Sequence, residues 1–144
     1  GARTSWSIPT SDLPLGGAMA ATESQQPPGS NARVGPHSIQ VAPDGSLSHR
    51  RIFAQQIGSG DHDEGVVDGM KCDEHGNIYV TGPRGIWVFD AQGRHLGVIR
   101  MPEIAGNMNW GGPHWTDLYC ACSTSIYRVR MKVRGNPVAY MNMG

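Results

Sequence analysis

The sequence carries no excess of either charge and no long apolar run, and each shortage argues against a class of protein. Lys and Arg number 12 and Asp and Glu number 12 among the 144 residues, which argues against a nucleic-acid binder and an acidic tail protein. No apolar stretch approaches the roughly 18–20 residues of a membrane-spanning helix, so we expect no membrane partner. The first residues also lack the pattern of a secretory signal. We therefore expect a cytoplasmic protein, with a periplasmic or secreted location left open.

Cysteine is also scarce, since the chain has only three. Cys120 and Cys122 are separated by one residue, which is not the Cys-x-x-Cys spacing of a redox or zinc pair. On a strand, these two side chains would point to the same face. We interpret both as small buried apolar residues, with a redox or metal role as the alternative.

Glycine and proline, by contrast, are abundant, with 20 and 10 residues respectively. Such a composition favours short strands and turns over helices. Residues 1–36 are rich in Ser, Pro, Gly and Gln and have no apolar period, so we predict an irregular segment there. A short strand at residues 4–8 and a helix at residues 15–23 are the local alternatives. We predict that residues 37–144 are all-β.

The clearest strand signal lies in residues 125–134, where apolar and basic side chains alternate. Period-2 alternation predicts one buried and one solvated face. A basic face could also follow a phosphate backbone, but the zero net charge favours a solvated surface. Further strands are predicted at residues 39–41, 46–53, 77–81, 86–89, 95–100 and 118–122.

The strand signals recur along the chain with a period of about 40–50 residues, which is typical of the blades of a β-propeller, so we predict blades of four short antiparallel strands. Tyr79 and Tyr119 are separated by one such period, and so are the turn glycines Gly45 and Gly93. A blade of this kind must stack on neighbouring blades. The chain has room for two to three blades, whereas closed propellers usually have four to eight. We therefore predict a partial β-propeller, and a further chain that completes it is a candidate partner.

Residues 67–82 read VDGMKCDEHGNIYVTG. This segment resembles the Asp-Gly-Met … Asp-x-x-Gly-Asn-Ile-Tyr-Val segment of the family of gluconolactonase, regucalcin (senescence marker protein) and luciferin-regenerating enzyme. Further matches in the same order extend the resemblance over residues 39–135. The resemblance implies a six-bladed propeller with a divalent metal on its central axis, of which this chain would be the C-terminal portion.

The family resemblance also implies a site at Asp68. In the family, the aspartate of the Asp-Gly-Met motif lies at the channel mouth, ligates the metal and is the candidate general base. Oxygen ligands suit hard cations, so we expect calcium, with zinc, magnesium or manganese as alternatives. The metal would polarise a lactone carbonyl while the aspartate takes a proton from water. The alternative is an ordinary turn aspartate, and the family's other ligands, a Glu and Asn residues, have no matching positions here.

Asn107 is a second candidate at the channel mouth. It precedes Tyr119 by nearly the same number of positions as Asp68 precedes Tyr79. With one extra loop residue allowed, this spacing predicts that Asn107 is the next blade's counterpart of Asp68. A plain asparagine at the start of a loop is the alternative.

The acidic segment before Asp68 contains three further candidates, Asp61, His62 and Asp63. Because this segment directly precedes the Asp-Gly-Met motif, it could cover the channel mouth as a lid. The alternative is a solvated polar loop.

The sequence therefore predicts a metal-dependent sugar lactone hydrolase of the gluconolactonase type, whose substrate is a small-molecule lactone. One carboxylate rarely holds a divalent ion alone, so we expect the isolated chain to be weakly active or inactive. The alternative is a non-catalytic propeller fragment or degenerate paralogue that acts as an interaction module.

Overall fold

The computed structural model describes residues 17–20, 35–55, 57–58 and 65–137, with only the backbone of residues 17–20. These residues form strands and contain no helix, and so none that could cross a membrane. The strands are β1 (Gly17–Ala20), β2 (His37–Val41), β3 (Leu47–Ile52), β4 (Met70–Cys72), β5 (Ile78–Gly82), β6 (Gly85–Phe89), β7 (His95–Arg100), β8 (Ala105–Gly111), β9 (Asp117–Cys122) and β10 (Ile126–Arg130).

The ten strands form three antiparallel sheets in chain order. The first sheet contains β1, β2 and β3, the middle sheet contains β4 to β7, and the last sheet contains β8, β9 and β10. The all-β prediction is confirmed, and the middle sheet is the predicted four-stranded blade. The last sheet has three strands in the described residues, where four were expected.

Strand β5 shows how the middle sheet contributes to two cores. Successive side chains on a strand point to opposite faces, so Ile78 and Val80 pack on one side and Tyr79 on the other. The first core lies between the middle sheet and the connection that follows β3, and includes Ala54 and Ile57. The second core lies between the middle and last sheets. Its buried members are Tyr79, Ile86, Ala105, Met108, Trp110, Leu118 and Cys120.

The predicted alternation at residues 125–134 is confirmed, although the strand is shorter than expected. β10 ends at Arg130, and the N–H of Met131 donates to the carbonyl of Thr116, which extends the β9–β10 register by one more pair. The apolar side chains at positions 127, 129, 131 and 133 nevertheless all contact the second core. The apolar period therefore continues beyond the hydrogen-bonded ladder.

The N-terminal prediction is wrong at residues 17–20. They form β1, which pairs with β2 from Gly17↔Gln40 to Ala20↔His37, where we expected an irregular segment or a helix. The physical reason is long-range, because a strand gains its hydrogen bonds from a partner distant in sequence. The strand predicted at residues 4–8 lies outside the described residues.

The cysteines behave as small apolar residues. Cys72 and Cys120 are buried, Cys122 is half-buried, and none forms a disulfide. Burial, with a smaller contribution from Cys122, raises the pKa of Cys120 to about 11. A thiol that keeps its proton at neutral pH is a poor nucleophile and metal ligand, which supports our interpretation.

Candidate functional site

Asp68 is exposed just before β4, and its backbone is hydrogen-bonded to the hydroxyl group of a buried residue. The N–H groups of Asp68 and Gly69 both donate to Thr81 Oγ1, at 3.1 and 2.8 Å. The N–H of Thr81 donates in turn to the carbonyl of Gly69 at 2.9 Å. Thr81 is fully buried, so this anchor is shielded from water. The arrangement fixes the position from which the Asp68 side chain starts.

The start of β8 lies directly beside Asp68. The N–H of Gly69 donates to the carbonyl of Gly106 at 3.1 Å. A Cβ atom added at Gly69 would stand only 2.8 Å from Asn107 Cα, so glycine is required for this close approach. A Cβ atom added at Gly106 would stand 3.8 Å from Asp68 Oδ2. Asp68 and Asn107 therefore lie together at the end of the sheets where β4 and β8 begin, which we call the Asp68 end.

The predicted equivalence of Asn107 and Asp68 is wrong, although the two are neighbours. The register of the ladders places Met70 of β4 and Met108 of β8 at equivalent positions. Counting back from them, Asn107 corresponds to Gly69, and the residue before it is Gly106, where a β-bulge shifts the register of β8. The reason is that the β8–β9 hairpin is longer than the β4–β5 hairpin by two positions, where we had allowed one. The candidate lid residues, Asp61, His62 and Asp63, lie outside the described residues.

The family model of the SMP-30/gluconolactonase/LRE-like region matches residues 37–124. The chain belongs to this family. A curated gluconolactonase from Zymomonas mobilis is 34% identical over 73 residues, which are 49% of this chain and 20% of that relative.

Two solved structures show the same propeller architecture. A structural-genomics target assigned as a gluconolactonase has a TM-score of 0.69 at 25% identity, covering 88% of this chain and 39% of its own. A gluconolactonase from Xanthomonas campestris has a TM-score of 0.60 at 25% identity, covering 80% of this chain and 34% of its own. The chain therefore spans between a fifth and two-fifths of these members of the gluconolactonase family, and the partial propeller is confirmed.

The divalent metal that this gluconolactonase family implies does not fit the described residues by themselves. No group of three His, Cys, Asp or Glu side chains in the described ranges could hold a metal ion. At the Asp68 end, the Asp68 carboxylate and the Asn107 amide are two side-chain oxygen donors that lie close together. Asn107 Oδ1 already accepts a hydrogen bond from the N–H of Met108 at 2.8 Å. Because Ca²⁺ takes six to eight oxygen ligands, this part of the chain supplies too few.

Glu103, which the sequence analysis did not single out, joins the start of β8 to the β9–β10 turn. Its carboxylate accepts hydrogen bonds from Thr124 N and Thr124 Oγ1, both at 2.8 Å. It also accepts from Tyr127 Oη at 2.9 Å and Ser125 Oγ at 3.1 Å. These donors, led by the Thr124 N–H, lower the pKa of Glu103 to about 2. Because Glu103 and Thr124 are distant in the sequence, no local pattern indicates the contact.

Proposed function

We propose that the chain is part of a gluconolactonase-type hydrolase that opens sugar lactones, with Asp68 as the general base. The observation that carries the proposal is an exposed carboxylate whose backbone is held by hydrogen bonds to a buried hydroxyl group. Asp68 is exposed, while the Thr81 hydroxyl that holds its backbone is fully buried. Such support keeps a reacting group in position without covering it.

Lactone hydrolysis requires one proton acceptor and one site for the carbonyl oxygen. Asp68 would accept a proton from water as the water oxygen adds to the lactone carbonyl carbon. The ring C–O bond then breaks, and the same proton is returned to the ring oxygen as it becomes a hydroxyl group. Asn107 is exposed beside Asp68, and its Nδ2 can donate a hydrogen bond to the lactone carbonyl.

A bound divalent cation is part of the proposal, with calcium first and zinc, magnesium or manganese as alternatives. Asp68 would supply one carboxylate ligand. The remaining ligands must come from outside the described residues, where Asp61, His62 and Asp63 are this chain's own candidates. We therefore expect the isolated chain to bind the cation weakly and to hydrolyse lactones poorly or not at all.

The proposal is tested by gluconolactone hydrolysis, with and without added Ca²⁺, by the chain alone and by a full-length propeller that contains it. We expect turnover only from the full-length protein. There, Asp68→Asn should lower the rate by about 10²–10⁴-fold, the usual contribution of a general base. Asp44→Asn is the matched control, because Asp44 lies in the exposed β2–β3 turn. An active Asp68→Asn protein would refute the assigned role.

A non-catalytic interaction module is the second candidate, because no three His, Cys, Asp or Glu side chains among the described residues could hold a metal ion together. The same assay distinguishes the two functions. A full-length propeller that remains inactive with each of the four cations would favour the interaction module. Metal-dependent turnover that is lost with Asp68→Asn would favour the hydrolase.

A further inference from the structure

The turn between β5 and β6 brings an exposed arginine to the Asp68 end. Pro83 and Arg84 form this turn, and Arg84 is exposed. Thr81, whose hydroxyl group holds the Asp68 backbone, precedes the turn in β5. Because β4, β5 and β6 are adjacent strands, the backbones of Asp68 and Arg84 are separated by one to two strand spacings, roughly 5–10 Å.

Arg84 has a backbone conformation that arginine rarely adopts. Its φ is 67°, and a proline followed by a residue with positive φ is typical of a type II turn, which favours glycine or asparagine there. The turn is fixed by its neighbours, since Trp87 Nε1–H donates to the Pro83 carbonyl at 3.0 Å and Met101 N–H donates to the Arg84 carbonyl at 3.1 Å. Glycine would meet the same backbone requirement without strain. A strained residue that its surroundings hold in place is typical of a functional position.

The exposure of Arg84 does not come from an uncovered sheet face. The middle sheet packs on one side in the first core and on the other side in the second core, both of which this chain supplies. Arg100, the last residue of β7, is also exposed and is the register partner of Gly85, next to the turn. The Asp68 end of the middle sheet therefore carries two exposed arginines.

We propose that Arg84 binds an anionic group, a carboxylate or a phosphate, at the end of the substrate that is farthest from the lactone carbonyl. This inference rests on the proposed function, because Asp68 would act at the carbonyl while Arg84 holds the other end of the same molecule. A guanidinium group presents paired N–H donors that match a carboxylate or a phosphate. Arg100 adds positive charge beside it. Arg84 takes no part in the proton transfer, and it makes the site specific for a negatively charged lactone over neutral gluconolactone.

The first test measures binding, which requires no turnover. Calorimetric titration of a full-length propeller that contains this chain compares gluconate with glucarate and 6-phosphogluconate, which carry a second anionic group at the far end. We expect one of the two to bind about 10–100-fold more tightly than gluconate, as a charge-assisted hydrogen bond allows. Which of them binds tighter distinguishes a carboxylate site from a phosphate site.

Substitution of Arg84 separates this role from a structural one. Arg84→Gly should remove the preference for the second anionic group and leave the affinity for gluconate unchanged, while thermal stability is maintained because glycine accepts the positive φ. Arg84→Lys keeps the charge without the paired donors, so it should retain part of the preference. Arg94→Gly is the matched control, since Arg94 is an exposed arginine in the β6–β7 connection at the opposite end of the middle sheet.

Hydrolysis provides the second measurement and distinguishes failure of this inference from failure of the proposed function. Arg84→Gly should raise KM for glucarolactone or 6-phosphogluconolactone and leave the hydrolysis of gluconolactone unchanged. A protein that hydrolyses lactones but does not prefer the charged ligands would overturn the anion site and keep the hydrolase. An inactive protein whose anion preference is lost with Arg84→Gly would support the anion site and refute the hydrolase. The anion site is also overturned if Arg84→Gly keeps the preference.

Discussion

β4 and β8 are the first strands of neighbouring sheets, and both begin at the Asp68 end. Their backbones are equivalent in register from Gly69 and Asn107 onward. The residue before this position is Asp68 in one strand and Gly106, where the β8 register shifts, in the other. Because glycine has no side chain, the β8 backbone can lie beside the Asp68 carboxylate. A second aspartate there would bring two like charges together and raise the pKa of one of them. The repeat thus supplies two similar strands, and only one of them carries a carboxylate at the position before this point.

The same two strands also differ at a core position. Cys72 of β4 and Trp110 of β8 occupy equivalent places in the register. Trp110 reaches across to the middle sheet, where its Nε1–H donates to the carbonyl of Cys72 at 2.8 Å. Its ring also packs edge-on against Tyr79, with the ring centroids 5.3 Å apart. The Cys72 side chain lies in the first core and Trp110 in the second, so Trp110 binds the β4 backbone from the other face of the middle sheet.

The largest loss of stability is expected when this contact between the middle and last sheets is removed. Trp110→Ala should lower the free energy of unfolding by about 3–5 kcal/mol, the usual cost of truncating a buried Trp. Trp110→Phe keeps most of the packing and removes the donor to Cys72, so it should cost less. Chemical denaturation of both variants measures the difference. A loss below about 1 kcal/mol for Trp110→Ala would mean that the two sheets do not depend on this side chain.

The fold could be predicted from the sequence wherever a local period carried the information. The alternation of Ile78 with Tyr79, and the recurrence of the Tyr79 strand at Tyr119, were enough to predict strands and blades. β1 could not be predicted in this way, because its hydrogen bonds come from β2, which lies far along the chain.

The candidate site could be predicted only in part, for a related reason. The Asp-Gly-Met motif identified Asp68, and Asn107 does lie beside it. Their register relation was missed because the length of a turn cannot be read from tyrosine spacing alone. Thr81 and Glu103 were missed because their partners are distant in the sequence and only the packed sheets bring them together.

The two glycines at the Asp68 end should respond differently to the same substitution. A methyl group at Gly69 would meet the Asn107 backbone at 2.8 Å, so Gly69→Ala should destabilise the fold by about 1–3 kcal/mol. A methyl group at Gly106 meets nothing closer than 3.8 Å, so Gly106→Ala should change stability by less than about 0.5 kcal/mol. Thermal unfolding of the two variants compares them directly. Equal losses would contradict the close approach of β4 and β8.

Removing the Thr81 hydroxyl group should lower the free energy of unfolding by a smaller amount. Thr81→Val keeps the shape of the side chain and removes the acceptor of the Asp68 and Gly69 N–H groups. Gly69 N retains its bond to Gly106, so we expect a loss of only about 1–2 kcal/mol. Thr81→Ser, which keeps the acceptor, should recover part of it. If Ser proves no better than Val in denaturation experiments, the hydroxyl does not hold this backbone.

The smallest effect at neutral pH is expected for Glu103→Gln, because the amide oxygen can still accept some of the four hydrogen bonds. The effect should appear in acid. The folded pKa of about 2 lies below the ordinary value of 4.5, so ionised Glu103 stabilises the fold above pH 4.5, and this contribution is lost as the pH falls towards 2. Over this pH range, the free energy of unfolding should fall less for Glu103→Gln than for the unmodified chain. Tyr127→Phe, which removes one of the four donors, should lie between them because the carboxylate then keeps three. Identical acid profiles for all three proteins would mean that the connection before β8 is not held by the charge of Glu103.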